Sequence, residues 1–70
     1  MQENKQAFVR ELGELLKKYS REAVRELVYF EDSDRFEAVE IIYENGHRRT
    51  VNVTADSVAA VMKDIARAML

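Results

Sequence analysis

The residues able to do chemistry are few. His47 is the one histidine of the 70-residue chain, and Arg48 and Arg49 follow it directly. An imidazole beside two guanidiniums can contact an anion, and with a carboxylate partner and an apolar pocket it could move protons. Asp56 or Glu44 could be that partner, but no Ser or Thr is placed as a nucleophile. Glu37, Glu40 and Glu44 fall on one predicted strand. Glu40 and Glu44 share a face but stand about 13 Å apart, too far for a paired-carboxylate or two-metal arrangement. Asp32 and Asp34 flank a turn and lack the ordered set of oxygen ligands that a calcium loop needs. Gly13 and Gly46 are isolated, so there is no glycine-rich phosphate loop. The chain has no Cys, which removes thiolate ligands, a Cys nucleophile and disulfides, and a single His cannot build a His-rich zinc site. No catalytic, cofactor or metal residues are expected, and no small-molecule substrate is evident.

Charge narrows the partners further. Eleven basic residues against 13 acidic ones give a net charge of −2, which disfavours a general nucleic-acid binder. No run approaches 18 apolar residues, so no membrane span is expected. Residues 1–5 lack the basic start and apolar stretch of a signal peptide. Together with the absence of Cys, this points to the cytoplasm. Seventy residues make one domain, residues 1–70, with a core that supplies only about 3–5 kcal/mol. Association with another chain is the remaining remedy for so small a core.

The elements that must position these groups follow from periodicity. Phe8, Leu12, Leu15, Leu16 and Tyr19, widened by Val9, recur at helical steps and predict a helix over residues 3–19. Glu14 and Lys18 form an i,i+4 pair on its polar side. Gly13 interrupts this helix, either where another element approaches closely or at a solvated position. Residues 20–26 are ambiguous, with a break expected near Ser20 and a strand by Arg25. Leu27-Val28-Tyr29-Phe30 is β-branched and aromatic, as a strand requires. Asp32-Ser33-Asp34 is a turn cluster, residues 36–43 are a second strand, and Glu44-Asn45-Gly46 is the strongest turn signal. Residues 48–53 are a third strand. Thr54 is the expected N-cap of a last helix reaching about Met69, with Asp56 in its first turn facing the helix dipole. Val58, Val61, Met62, Ile65 and Met69 form its apolar stripe.

Register sorts the sheet faces. A three-residue loop at Glu44-Asn45-Gly46, with Gly46 left-handed, pairs Ile41 with Arg49 and Val39 with Val51. A two-residue Asn-Gly loop would mix polar and apolar residues on both faces. The same reasoning makes Ser33-Asp34-Arg35 the first loop and pairs Tyr29 with Val39 and Leu27 with Ile41. One face is then Leu27, Tyr29, Val39, Ile41, Tyr43, Val51 and Val53, which two amphipathic helices can cover. The other carries Val28, Phe30, Phe36, Ala38 and Ile42 among Glu40, Glu44, Arg48, Thr50 and Asn52. So much apolar surface on an uncovered face marks a candidate protein interface.

The α-β-β-β-α order and the closing Ile65-Ala66-Arg67-Ala68-Met69-Leu70 resemble the double-stranded-RNA-binding domain. That family's Gly-Pro-x-His loop is replaced here by Asp32-Ser33-Asp34-Arg35. Its Lys-Lys-x-Ala-Lys run is replaced by Thr54-Ala55-Asp56-Ser57-Val58-Ala59. No RNA-binding residue carries over. Asn45-Gly46-His47, the run from Val51 to Ser57, and Met62-Lys63-Asp64-Ile65 are also similar to small uncharacterised proteins of gut Firmicutes and their phages or mobile elements. That resemblance spans the last half of the chain and implies no activity.

The expected fold is α+β, a three-stranded antiparallel meander with two helices packed on one face. The expected function is a non-enzymatic protein-interaction module of unknown role, self-associating as a homodimer through Val28, Phe30, Phe36, Ala38 and Ile42. The alternative is a nucleic-acid or anion-contacting module using His47, Arg48 and Arg49.

Overall fold

Two turns of one kind build the sheet. The computed structural model describes residues 2–19 and 24–69, in the order α1 (Gln2–Tyr19), β1 (Val24–Glu31), β2 (Glu37–Tyr43), β3 (Arg48–Asn52) and α2 (Val58–Met69). Between β2 and β3, the Tyr43 N–H donates to the His47 carbonyl at 2.9 Å and the Gly46 N–H to the Tyr43 carbonyl at 3.0 Å. Gly46 has φ +92°, the left-handed backbone such a three-residue loop needs. Asn45 Oδ1 accepts from the His47 N–H at 3.0 Å. The β1–β2 loop repeats the pattern. The Arg35 N–H donates to the Asp32 carbonyl at 3.1 Å, the Asp32 N–H to the Phe36 carbonyl at 3.0 Å, and Asp32 Oδ1 accepts from the N–H groups of Asp34 and Phe36. Here Arg35 itself is left-handed, at φ 66°.

The strands form one antiparallel sheet in the order β1-β2-β3. Tyr29 pairs with Val39, Leu27 with Ile41, Val39 with Val51 and Ile41 with Arg49, as the loop lengths require. A register shift between Val24 and Glu26 lets Val24 join Leu27 in the core, although they stand an odd number of positions apart. The expected helix break at Ser20 lies outside the described residues.

Both helices pack on the face that carries Leu27, Val39, Ile41, Val51 and Val53. From α1 come Val9, with Phe8, Leu12 and Leu16 packed around it, and from α2 come Val61 and Ile65 with Met69. The stripes are narrower than their periodicity predicts. Leu15 and Tyr19 of α1, and Val58 and Met62 of α2, are exposed. The ion pair on α1 joins Glu14 to Lys17, at 3.7 Å, rather than to Lys18. A Cβ built on buried Gly13 would stand 3.5 Å from Leu27 Cβ and from the Leu27 nitrogen, so this glycine marks the close approach of α1 to β1.

The entry to α2 differs from the expectation. Ser57, not Thr54, is the N-cap: Ser57 Oγ accepts from the Ala60 N–H at 3.1 Å, and the Ser57 carbonyl accepts from the Val61 N–H at 2.9 Å. Residues 53–56 instead form a turn, closed by the Asp56 N–H on the Val53 carbonyl at 3.0 Å, with Ala55 at φ 63°. Asp56 therefore precedes the cap and is not in the first helical turn.

Candidate functional site

The uncovered face of the sheet carries the five residues singled out by parity, and the structure divides them. Phe30 and Phe36 stand proud, 41% and 37% exposed, with ring centroids 6.4 Å apart and planes tilted by 53°. They flank Ala38, which pairs directly with Phe30. Ala38 is fully buried and Ile42 nearly so, while Val28 is half-buried. Ala38 and Ile42 thus form the floor of the patch, and Val28, Phe30 and Phe36 are what an incoming surface would touch. Two offset aromatic rings on a rigid β platform suit burial against another protein, since aromatic side chains carry large contact area at little conformational cost.

The second candidate group sits at the far end of the sheet. His47 follows the β2–β3 turn and is exposed, as are Arg48 and Arg49. Arg48 Nη1 lies 3.5 Å from Glu40 Oε1, its cross-strand neighbour on the same face. Arg49 Nη1 donates to the Ala68 carbonyl, so it holds the last turn of α2 against β3, where the helix dipole favours a cation. With Tyr43 and Asn45 the three line a hollow of about 300 Å³. Both guanidiniums already have partners, and none of the carboxylates described here stands against His47.

A third group had no counterpart in the sequence reading. Lys5 on α1 and Glu37 on β2 are the buried charged residues among those described, at 7% and 6% exposure. Lys5 Nζ donates to Glu37 Oε1 at 2.8 Å and to the Val53 carbonyl at 3.1 Å. The Tyr29 hydroxyl donates to Glu37 Oε2 at 2.5 Å, and the Ala55 N–H donates to Oε1 at 2.9 Å. The backbone of Glu37 is tied as well, with its N–H donating to Thr54 Oγ1 at 3.0 Å and its carbonyl accepting from that hydroxyl at 3.2 Å. Hydrogen bonds from Lys5, then from Tyr29 and from the Ala55 N–H, outweigh burial and bring the Glu37 carboxyl down to about 2 from an ordinary 4.5. Burial, then the hydrogen bond and charge of Glu37, push the Tyr29 phenol above its ordinary value.

Asp56 adjoins this network under different electrostatics. Its Oδ2 is buried and has no hydrogen-bond donor among the described residues. Taking up a proton resolves that, because a neutral carboxyl can donate toward Asp64. Hydrogen bonding with Asp64, then burial, then the Asp64 charge raise the Asp56 pKa above the ordinary range, against a lowering by Lys5.

The signal for this cluster lies in parity and periodicity. Glu37 shares its parity with Val39, Ile41 and Tyr43, which puts a carboxylate on the covered face. Lys5 heads the helical stripe that continues through Val9, Leu12 and Leu16. A buried charge at one of these places calls for an opposite charge at the other. The cluster ties α1, β2 and the 53–56 turn together through Lys5, Glu37, Thr54 and Ala55. Among the described residues no group of three or more His, Asp or Glu is placed to hold a metal ion. None of the described helices is long and apolar enough to cross a membrane.

Comparison with protein-family models, with curated proteins and with solved structures finds no match to this chain.

Proposed function

We propose that this chain is a non-enzymatic protein-interaction module that self-associates through the open face of its sheet. The observation that carries the reading is the exposed Phe30–Phe36 pair above a floor of Ala38 and Ile42. The opposite face already holds both helices. A domain of this size gains from burying a second apolar face, because its single core supplies only about 3–5 kcal/mol. The simplest partner is a second copy, sheet against sheet, in a cytoplasmic homodimer.

Sedimentation equilibrium from micromolar to millimolar chain tests this. The expected result is a mass rising toward the dimer, and a monomer at all concentrations for Phe30→Asp. A clean monomer at millimolar concentration, unchanged by Phe30→Asp, would sink the reading. The second reading, anion or nucleic-acid contact through His47, Arg48 and Arg49, rests on the hollow they line. Glu40 offsets the charge of Arg48, and Arg49 keeps its charge but already spends a donor on the Ala68 carbonyl.

A further inference from the structure

β1 is an outer strand of the sheet and, at 8 residues, its longest. It contains no Pro, and its register shift sits at its very start, so neither of these two blocks to strand addition interrupts residues 27–31, although Arg25, Glu26 and Glu31 are charged and α1 runs alongside. The β1–β2 turn fixes which residues face that edge. The Asp32 N–H bonds the Phe36 carbonyl, and hydrogen-bonded pairs alternate along an antiparallel ladder. Phe30 with Ala38 and Val28 with Glu40 are therefore the bonded pairs. Leu27 and Tyr29 turn their N–H and C=O groups outward.

Along this edge runs a groove of about 420 Å³, with β1 residues 25–29 as one wall and α1 as the other. Five residues of strand span roughly 13 Å, the length of a short extended peptide. At Gly13 the helix wall carries no side chain beside Leu27. The charge here is inverted relative to the whole chain. Arg10, Lys17 and Arg25 line the groove against Glu14 and Glu26, although the chain as a whole is at −2. Lys17 and Glu14 neutralise each other at 3.7 Å. Arg10 and Arg25, one from each wall, and Glu26 have no ion-pair partner among the described residues, which leaves the groove one positive charge in excess.

We infer that this groove takes up an extended acidic segment of a partner protein as a fourth strand beside β1. The Leu27 and Tyr29 backbone groups would bond its main chain, and Arg10 and Arg25 would meet its carboxylates. Main-chain pairing supplies affinity in this mode, and side chains at alternate positions supply selectivity. Alternation matters because side chains on one side of the added strand face the polar wall of α1. Those on the other side lie next to Val28 on the open face, so an acidic–apolar alternation fits.

The probe is a fluorescein-labelled seven-residue peptide of alternating Glu and Val, titrated with the Phe30→Asp variant so that self-association plays no part. The expected result is saturable polarisation, with the Leu27 and Tyr29 amides shifted in the NMR spectrum and slowed in hydrogen exchange. Binding should weaken at least tenfold for the double substitution Arg10→Glu and Arg25→Glu, whose exposed sites leave the circular-dichroism spectrum unchanged. It should vanish for a peptide N-methylated at alternate residues. No binding at millimolar protein and low salt overturns the inference. So does equal binding of the N-methylated peptide or of an alternating Lys and Val peptide. Displacement of the probe by a single-stranded oligonucleotide, with no protection of the β1 amides, would assign the groove to nucleic acid instead and overturn it equally.

Discussion

Substituting Lys5 by Met tests the reasoning about the buried cluster most directly. Met keeps the length and apolar stem of Lys5 but removes the ammonium. Glu37 is then left at 6% exposure with the Tyr29 hydroxyl and the Ala55 N–H as its remaining donors, and the Val53 carbonyl loses its Lys5 donor. Breaking a buried pair by removing one partner costs about 3–5 kcal/mol. That equals the whole stability expected of a core this size, about 3–5 kcal/mol, so Lys5→Met is expected to be largely unfolded at 25 °C and pH 7. Adding Glu37→Gln removes the stranded charge, and the double variant should recover at least about 1 kcal/mol over Lys5→Met, as coupled neighbours do. Urea unfolding followed by circular dichroism, in an osmolyte that keeps Lys5→Met folded at the start, gives the full double-substitution cycle. The reasoning fails if Lys5→Met costs under about 1 kcal/mol, or if the two single costs simply add.

Acid should unfold the wild type through Glu37. Its stabilising charge is fully present above its unfolded value of 4.5 and is lost as pH falls toward about 2, a difference worth at most about 3 kcal/mol, so urea midpoints should drop steeply across that window. Asp56 has the opposite sign, because its pKa is raised in the fold and its cost grows as pH rises through that value. Asp56→Asn should therefore raise stability at pH 7 by about 1 kcal/mol, with the gain shrinking at pH 4. Gly13→Ala should be neutral to stabilising by up to about 1 kcal/mol, since the added methyl meets Leu27 at an ordinary 3.5 Å and helix propensity improves; a loss above about 1 kcal/mol would contradict the packing of α1. Ala55→Gly should raise the thermal midpoint by relieving about 1 kcal/mol of left-handed strain at φ 63°.

Much of this architecture is legible from sequence, and the reasons are specific. Alternation on three strands, with one face apolar, leaves few registers that keep Leu27, Val39, Ile41 and Val51 together. Loop length then has no freedom, and both turns came out at three residues. The left-handed Arg35 was less visible, because nothing in an Asp-Ser-Asp-Arg run asks for positive φ until the register demands it. Thr54 reads as a cap because threonine ahead of a helix usually is one. Here its hydroxyl is taken by both backbone groups of Glu37, and capping passes to Ser57. Of the open-face residues, parity identified the side of the sheet for all, but burial separates Ala38 and Ile42 from Phe30 and Phe36 through neighbour size, which alternation does not encode. Lys5 and Glu37 were missed because a charged residue at a core position is discounted unless its partner is sought 32 residues away.

That separation also bears on the order in which the chain folds. The meander closes through neighbours in sequence, whereas the Lys5 ammonium reaches Glu37 across 32 residues and the Val53 carbonyl across 48. Contacts of such span carry the largest loop-closure cost and reward the chain only after the strands are in place. The ammonium is therefore expected to act as a late latch, engaging on the native side of the rate-limiting barrier. Removing it should speed unfolding and leave refolding near its original rate. Lys5, rather than the helix as a whole, is then the residue expected to set how long the folded state lasts, because the rest of α1 packs against β1, its neighbour in sequence.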